Sequence, residues 1–368
     1  LDENVAFLVI AGDVYDGADR SIKAQLRFRD GLSELSDAGI QTFVVHGNHD
    51  PLDGWQASIK WPEGVTIFDD EVEWRQAERK GLPIAQIAGV SYPTREVTEN
   101  LSLRFTSPPE DGLFSIGLLH CNLGGNAAHP NYAPCTVDDL KASGIDYWAL
   151  GHVHTRDLIQ SDSVTIAYPG NSQGRHPNES GERGCYLVDA DADSKVSLKF
   201  RPLDVVRWER IEIPITELNT FDELISAAGR ALSETKEAAE GRDVVCRIVL
   251  TGSGPLHDEV VRGDAVEALL EMLHPADAAL SPWIWVERIT DRTRPELDLE
   301  QAETQDDFLA HCLRRARELQ SGEIELLLAE VYSGRRDRLP KPSNAGLVTD
   351  GLVEEARWYL AELLRRES

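Results

Sequence analysis

Short apolar runs punctuate the first half of the chain, at residues 5–11, 42–45, 114–119 and 147–150, and each stops at a polar cluster. Their length and their Val, Ile, Leu and Phe content predict buried strands that deliver polar side chains from their carboxyl ends. Further strands are predicted at 65–68, 84–90, 164–167, 185–189 and 196–200. Ile22, Leu26, Leu32, Leu35 and Ala38 recur at roughly helical spacing before Gly39, so a helix precedes the strand at 41–45. So many strands with few long helices predict an α/β fold of two packed β-sheets flanked by helices.

The pattern shifts near Pro202 and Asp204. Residues 1–203 are therefore expected to form one domain, and 204–290 a smaller β-α-β-α-β module with strands at 208–213, 244–250 and 283–289 and helices at 221–239 and 260–273. Its apolar content is too small to hold a catalytic centre of its own. Residues 291–368 read as a helical tail: Phe308, Leu309, Cys312, Leu313, Ala316 and Leu319 trace one face, and Leu352, Val353, Ala356, Leu360, Leu363 and Leu364 another. A Gly- and Pro-punctuated basic loop at 333–343 separates them.

Composition narrows the class. With 64 acidic against 37 basic residues the formal charge is −27, which speaks against tight non-specific nucleic-acid binding by this chain alone. Affinity for phosphates would have to come from bound metals, a small basic patch, a dimer or a partner. The five cysteines are scattered and lack CxxC spacing, so reduced thiols in a cytoplasmic protein are expected. Cys121 adjoins His120, but neighbours on a strand face opposite ways, so it is read as a buried structural thiol. The apolar stretches match strands rather than membrane spans, and no secretory signal is visible.

The polar clusters carry the chemistry: Gly12-Asp13-Val14-Tyr15-Asp16, Gly47-Asn48-His49-Asp50, His120, and Gly151-His152-Val153-His154. Asp, Asn and His are the ligands that hold divalent first-row metals. Each has a plainer reading: Asp13 as a helix cap, Asp16 and Asp50 as turn residues, a lone strand-end histidine as a core residue. Two histidines at i and i+2 after a buried strand, with a glycine before them, are harder to explain that way. The loop from Tyr168 to Pro177 places Arg175 after another strand end; it is either a phosphate contact or part of a Gly-rich surface turn. Phosphodiester cleavage needs an oxygen nucleophile and relief of phosphate charge, which two metals about 3.5–4 Å apart supply together.

The four motifs in this order resemble the calcineurin-like metallophosphoesterases over residues 1–203. The Gly-Asp-Val-Tyr-Asp wording and the Tyr-Pro-Gly-Asn loop at Tyr168 are similar to the SbcD-type DNA repair exonuclease branch, and within it to YhaO-like proteins. The resemblance implies two divalent ions, Mn2+ in identity. Asp13, Asn48, His120 and His152 would hold one, with Asp13 bridging and His154 on the other. His49 is then the acid that meets the leaving oxygen, Asp16 the carboxylate that orients it, and Arg175 a substrate contact. Family members carry an earlier Asp-x-His, which no residue before Asp13 can supply, so the chain is expected to lack its first strand.

The implied activity is metal-dependent exonuclease or endonuclease cleavage of DNA in repair, with residues 204–290 as a capping domain. The implied partners are DNA, an SMC-like coiled-coil ATPase and a second copy of the chain, with no membrane. No Gly-x4-Gly-Lys-Ser/Thr loop occurs, so any ATP dependence would come from the ATPase. The tail helices either dock that partner or pack onto the chain's own capping domain. The competing function is a metallophosphatase or cyclic-nucleotide phosphodiesterase acting on small phosphoesters.

Overall fold

In the computed structural model, which describes residues 1–17, 20–125, 130–161, 164–191, 193–274, 282–319, 323 and 345–366, the first strands run parallel. β1 (Phe7–Ala11), β2 (Gln41–Val45) and β3 (Val65–Ile67) form one sheet in that order. Helix α1 (Ile22–Asp37) joins β1 to β2 and is capped by Ser21, whose hydroxyl accepts the Ala24 N–H at 3.1 Å. Its buried positions differ from the expected stripe. Ile22 is 55% exposed, whereas Gln25 is buried because its amide donates to the Arg20 carbonyl at 3.0 Å and accepts the Ala57 N–H at 2.9 Å.

The larger sheet has six strands: β4 (Glu73–Arg79), β5 (Leu82–Gly89), β6 (Phe114–His120), β7 (Tyr147–Gly151), β8 (Asp157–Gln160) and β9 (Thr165–Tyr168). Their order is β4-β5-β6-β7-β9-β8, with a parallel centre and antiparallel edges. An antiparallel ribbon of β10 (Gly184–Ala190) and β11 (Val196–Pro202) completes the layers.

Alternation along the central strands makes two cores. Ile116, Leu118, Tyr147 and Ala149 join Phe43 and Val45 in one, with Val9, Tyr186 and Leu198 packed against it. Leu119, Trp148 and Leu150 point the other way, into a core with Phe105 and Leu140 of α2 (Val137–Ala142). Gly117 is glycine because the Trp148 ring lies where a Cβ would be, at 2.5 Å. The two packed sheets with flanking helices are thus present, and the polar motifs leave the carboxyl ends of β1, β2, β6 and β7 on one edge.

The chain divides into two compact units, Leu1–Arg207 and Trp208–Ser368. In the second, β12 (Val206–Pro214), which begins just before the division, β13 (Asp243–Thr251) and β14 (Ile284–Asp291) form a sheet in that order. One face packs on α3 (Phe221–Ala238) and α5 (Ala265–Leu273) through Leu224, Ala228, Ile248 and Leu269. The single helix expected at 260–273 is instead α4 (His257–Val260) and α5, separated by a turn in which Gly263 has φ +54°.

The tail contains α6 (Leu299–Glu303), α7 (Phe308–Arg317) and α8 (Ala345–Arg366). They share a small core of Leu299, Ala302, Leu313 and Ala361, with Trp358 against it. Arg357 pairs with Glu303, and the Arg294 guanidinium lies 5.0 Å from the Trp358 ring centre. On α8 Ala361 is buried and Trp358 packs against that core, Val353, Leu360 and Leu364 are half-buried, and Leu363, like Phe308 on α7, is exposed. The loop at 333–343 and the Leu352 side chain lie outside the described residues. No described helix is long and apolar enough to cross a membrane.

Candidate metal centre

The turns after β1, β2 and β7 are shaped around one imidazole. His120, at the end of β6, is fully buried. A Cβ on Gly12 would lie 2.6 Å from His120 Nδ1, and one on Gly47 2.6 Å from its Cε1 and in collision with Asp13 Oδ1. A Cβ on Gly151 would collide with the Ala11 carbonyl and sit 2.9 Å from the same ring. The glycine in each motif is thus a space requirement. Gly12 and Asp13 also have positive φ, +93° and +52°, as does His152 at +95°, a region that non-glycine residues enter mainly where other contacts hold them.

Those contacts converge on the Asn48 amide oxygen. His120 Nε2 and His152 Nδ1 each lie 3.0 Å from Asn48 Oδ1, and His120 Nε2 is 3.3 Å from Asp13 Oδ2. The outer nitrogens face main-chain carbonyls: His120 Nδ1 meets Ala11 O at 2.8 Å and His152 Nε2 meets Pro130 O at 2.8 Å. A carbonyl only accepts, so both outer nitrogens carry the proton, and the neutral rings turn their lone pairs inward. Lone pairs then face an amide oxygen and a carboxylate, which is repulsive unless a proton or a cation lies between.

The charges around Asp13 and His120 favour a proton in that place. Burial alone would raise Asp13, but the charge and hydrogen bond of His120, with the His49 N–H, bring its pKa down to about 2. Burial pulls His120 the other way, yet Asp13 and the Ala11 carbonyl hold it above the usual histidine range. Ligand bonds of about 2.0–2.2 Å set neighbouring donors about 3.0–3.5 Å apart, so the Asp13, Asn48, His120 and His152 atoms are spaced to accept a divalent ion in place of that proton. The neutral oxygen of Asn48 joins the two imidazoles without adding negative charge.

Asp50 braces the turns from beneath. It is fully buried, and accepts the N–H groups of Gly47 at 2.7 Å, Asp13 at 3.2 Å and Val14 at 2.9 Å, with His46 Nδ1 at 3.1 Å. Read from sequence as structural, it ties two motif loops into one piece. Arg20, also buried, donates to the Asp50 and Pro51 carbonyls.

At the rim, His49 exposes a third of its side chain. Asp16, expected to orient it, stands beside it, and its main-chain oxygen is nearer than its carboxylate. His49 Nδ1 is 3.2 Å from the Asp16 main-chain carbonyl and 3.8 Å from its carboxylate, which instead meets Arg175 Nη1 at 2.5 Å. The guanidinium wins because it offers several strong donors in fixed geometry. His154 stands beside Glu179, Nδ1 to Oε1 at 2.7 Å. Glu179 and Arg183 were not singled out from sequence; the one available signal was a carboxylate two residues past the Arg175-His176-Pro177 turn. Of the other histidines, His46 pairs with Asp50, His257 with Thr293 and His274 stacks on Trp285, while His129 lies outside the described residues. Cys121 is buried 3.6 Å from the thiol of Cys135, and all five cysteines are free.

Comparison with known proteins gives two family matches: calcineurin-like phosphoesterase over residues 1–156, and the middle domain of metallophosphoesterase YhaO over residues 208–294. The chain is 37% identical over 298 residues to the uncharacterized metallophosphoesterase YhaO of Bacillus subtilis, covering 81% of this chain and 72% of that protein. It is 26% identical to the DNA double-strand break repair protein Mre11 of Sulfurisphaera tokodaii over 56% of both chains. The Mre11 of Haloferax volcanii is also 26% identical, over 73% of this chain and 56% of its own length. Against those two repair proteins the chain therefore spans little more than half their length.

Proposed function

The chain belongs to the calcineurin-like metallophosphoesterases, in the YhaO-like branch, and on that premise we propose that it is a DNA nuclease that uses two divalent ions, Mn2+ in the cell. The observation that carries the reading is the chain of contacts at 3.0–3.3 Å that joins Asp13 to His120, His120 to Asn48 and Asn48 to His152, with a half-buried His49 at the rim. Asp13, Asn48, His120 and His152 would hold one ion, and Asp13 and His154 would contribute to a second. When bound, such ions supply a water activated at neutral pH and neutralise charge on the phosphate. His49 presents a ring nitrogen at the rim and gives a proton to the leaving oxygen. Arg175, drawn from Asp16 by a more highly charged partner, grips the phosphate with its forked donors.

DNA as substrate draws its support from the Mre11 relatives. The excess of acidic residues favours a site-centred grip rather than a broad basic surface. Work in repair beside a coiled-coil ATPase, in the cytoplasm, belongs to the same proposal, with α6–α8 as a surface for that partner. The test is a side-by-side assay of the full chain with Mn2+ on linear DNA and on a small chromogenic phosphodiester. Mn2+-dependent shortening of DNA supports the reading. Turnover of the small diester alone would favour a phosphodiesterase of small phosphoesters.

A further inference from the structure

The loop after β9 contains a buried carboxylate that the proposed chemistry has not used. Glu179 is only 4% exposed, a depth at which a carboxylate needs partners. Each of its oxygens has a separate partner. Oε1 lies 2.7 Å from His154 Nδ1, and Oε2 accepts the main-chain N–H of Arg175 at 2.8 Å. Its own main chain is held as well: the N–H donates to the His176 carbonyl at 2.9 Å, and its carbonyl accepts Arg183 Nε at 3.2 Å.

Arg183 works on the same two segments from behind. Its Nη1 donates to the His154 carbonyl at 2.5 Å and to Asn171 Oδ1 at 3.2 Å, and its Nη2 to the Ser180 carbonyl at 2.9 Å. Gly170, with φ +77°, allows the approach, since a Cβ there would lie 2.6 Å from the His154 carbonyl. Main chain and ring of His154 are therefore pinned from the same loop.

We propose that Glu179 is a positioning residue that sets the His154 ring with one oxygen and the Arg175 loop with the other, so that a metal ligand and a phosphate contact are placed by one carboxylate. The proposal rests on the reading of His154 and Arg175 given above. Its physical content is a choice of tautomer. A carboxylate only accepts, so His154 Nδ1 carries the proton and Nε2 keeps the lone pair a metal needs. His176 does not compete well: its Nε2 is 3.5 Å from the same oxygen and half its side chain is exposed. The arrangement reaches across the rim, because Arg175 meets Asp16 and the Asp16 carbonyl meets His49.

The test uses the full chain with 15N-labelled histidine, at a pH where neutral imidazole dominates, and compares the unaltered protein with Glu179→Gln and Glu179→Ala. The Gln variant matches the original in size, and its single amide oxygen cannot serve both partners. His154, assigned by its loss in His154→Gln, is expected as the Nδ1–H tautomer in the unaltered protein and as an exchanging mixture in both variants. Mn2+ alone, titrated by calorimetry, should bind the variants about 10–100-fold more weakly. Arg175→Ala should leave the tautomer and the Mn2+ affinity unchanged and raise only the KM for a phosphodiester. An Nε2–H tautomer in the unaltered protein, or one unchanged in both variants, overturns the proposal. If the unaltered protein binds no Mn2+, the metal reading fails, while the tautomer comparison still decides the role of Glu179.

Discussion

Replacing Asp50 tests whether the site is one braced unit. In Asp50→Ala three N–H groups, of Gly47, Asp13 and Val14, lose an ionised acceptor, and the His46 ring loses its partner. An orphaned buried donor costs about 1–3 kcal/mol. The Asp13 contact, at 3.2 Å, belongs at the low end and the Gly47 contact, at 2.7 Å, at the high end. The expected loss is about 4–6 kcal/mol, a large part of a typical domain's stability. Asp50→Asn keeps one oxygen but sets an NH2 against either Val14 or the Gly47 and Asp13 pair, so about 2–3 kcal/mol should go. Urea unfolding followed by tryptophan fluorescence measures both, and Mn2+ titration of the folded Asn variant reads the turn geometry. A loss under about 1 kcal/mol in Asp50→Ala with unchanged Mn2+ affinity would refute the bracing argument.

Three further outcomes are expected. His49→Ala should lower kcat by about 10²–10⁴ and leave Mn2+ affinity intact, whereas His152→Ala should lose an ion; calorimetry showing metal loss in both would undo the division of roles. Gly47→Ala drives a methyl into Asp13 Oδ1 and the His120 ring, so it should abolish Mn2+ binding far more severely than Gly112→Ala, where nothing lies within 4 Å. Because His120 is held protonated above its ordinary 6.5 and must be neutral to bind metal, Mn2+ affinity should rise with pH through that raised value, with proton release seen as a heat that varies with the buffer. The metal-free pair behaves oppositely. Asp13, lowered to about 2, stabilises above 3.8 and loses that effect as pH falls towards about 2; His120 stabilises fully below 6.5 and loses it as pH rises through its folded value, so metal-free stability should peak between these limits.

β2, β6 and β7 were legible because they are buried on both faces, which makes an unbroken apolar run that stops at its polar end; β1 is half-buried along its length but keeps the same apolar run. β4 and β8 were not, since both are edge strands: Glu73–Arg79 and Asp157–Gln160 leave one side in water and break the apolar run. Helix α2 was missed because six residues give too little periodicity, although its capping box of Thr136 and Asp139 was there to be read. In α1 the exposed Ile22 and buried Gln25 show a tertiary hydrogen bond overriding the apolar pattern. At the site, motif order identified Asp13, Asn48, His120 and His152, whose side chains the fold brings together. It did not reveal what Asp16 touches, because a motif records neighbours in sequence, and Arg175 arrives from a loop 159 positions later. Glu179 escaped for the same reason.

The two inner histidines are steadied on their outer side by Ala11 O and Pro130 O, atoms that belong to the peptide chain and survive any exchange of side chain. An alanine scan is blind to them: residue 11 is already alanine, and Pro130→Ala would leave its carbonyl in the same formula. The part of the site that fixes ring orientation is therefore hidden from ordinary mutagenesis and from sequence drift alike. It can be reached by semisynthesis, through an amide-to-ester exchange that makes one carbonyl a poorer acceptor while every side chain stays as it was. A chain related to this one could change the residues at both places and keep its imidazoles aimed as they are here, provided the backbone kept its course.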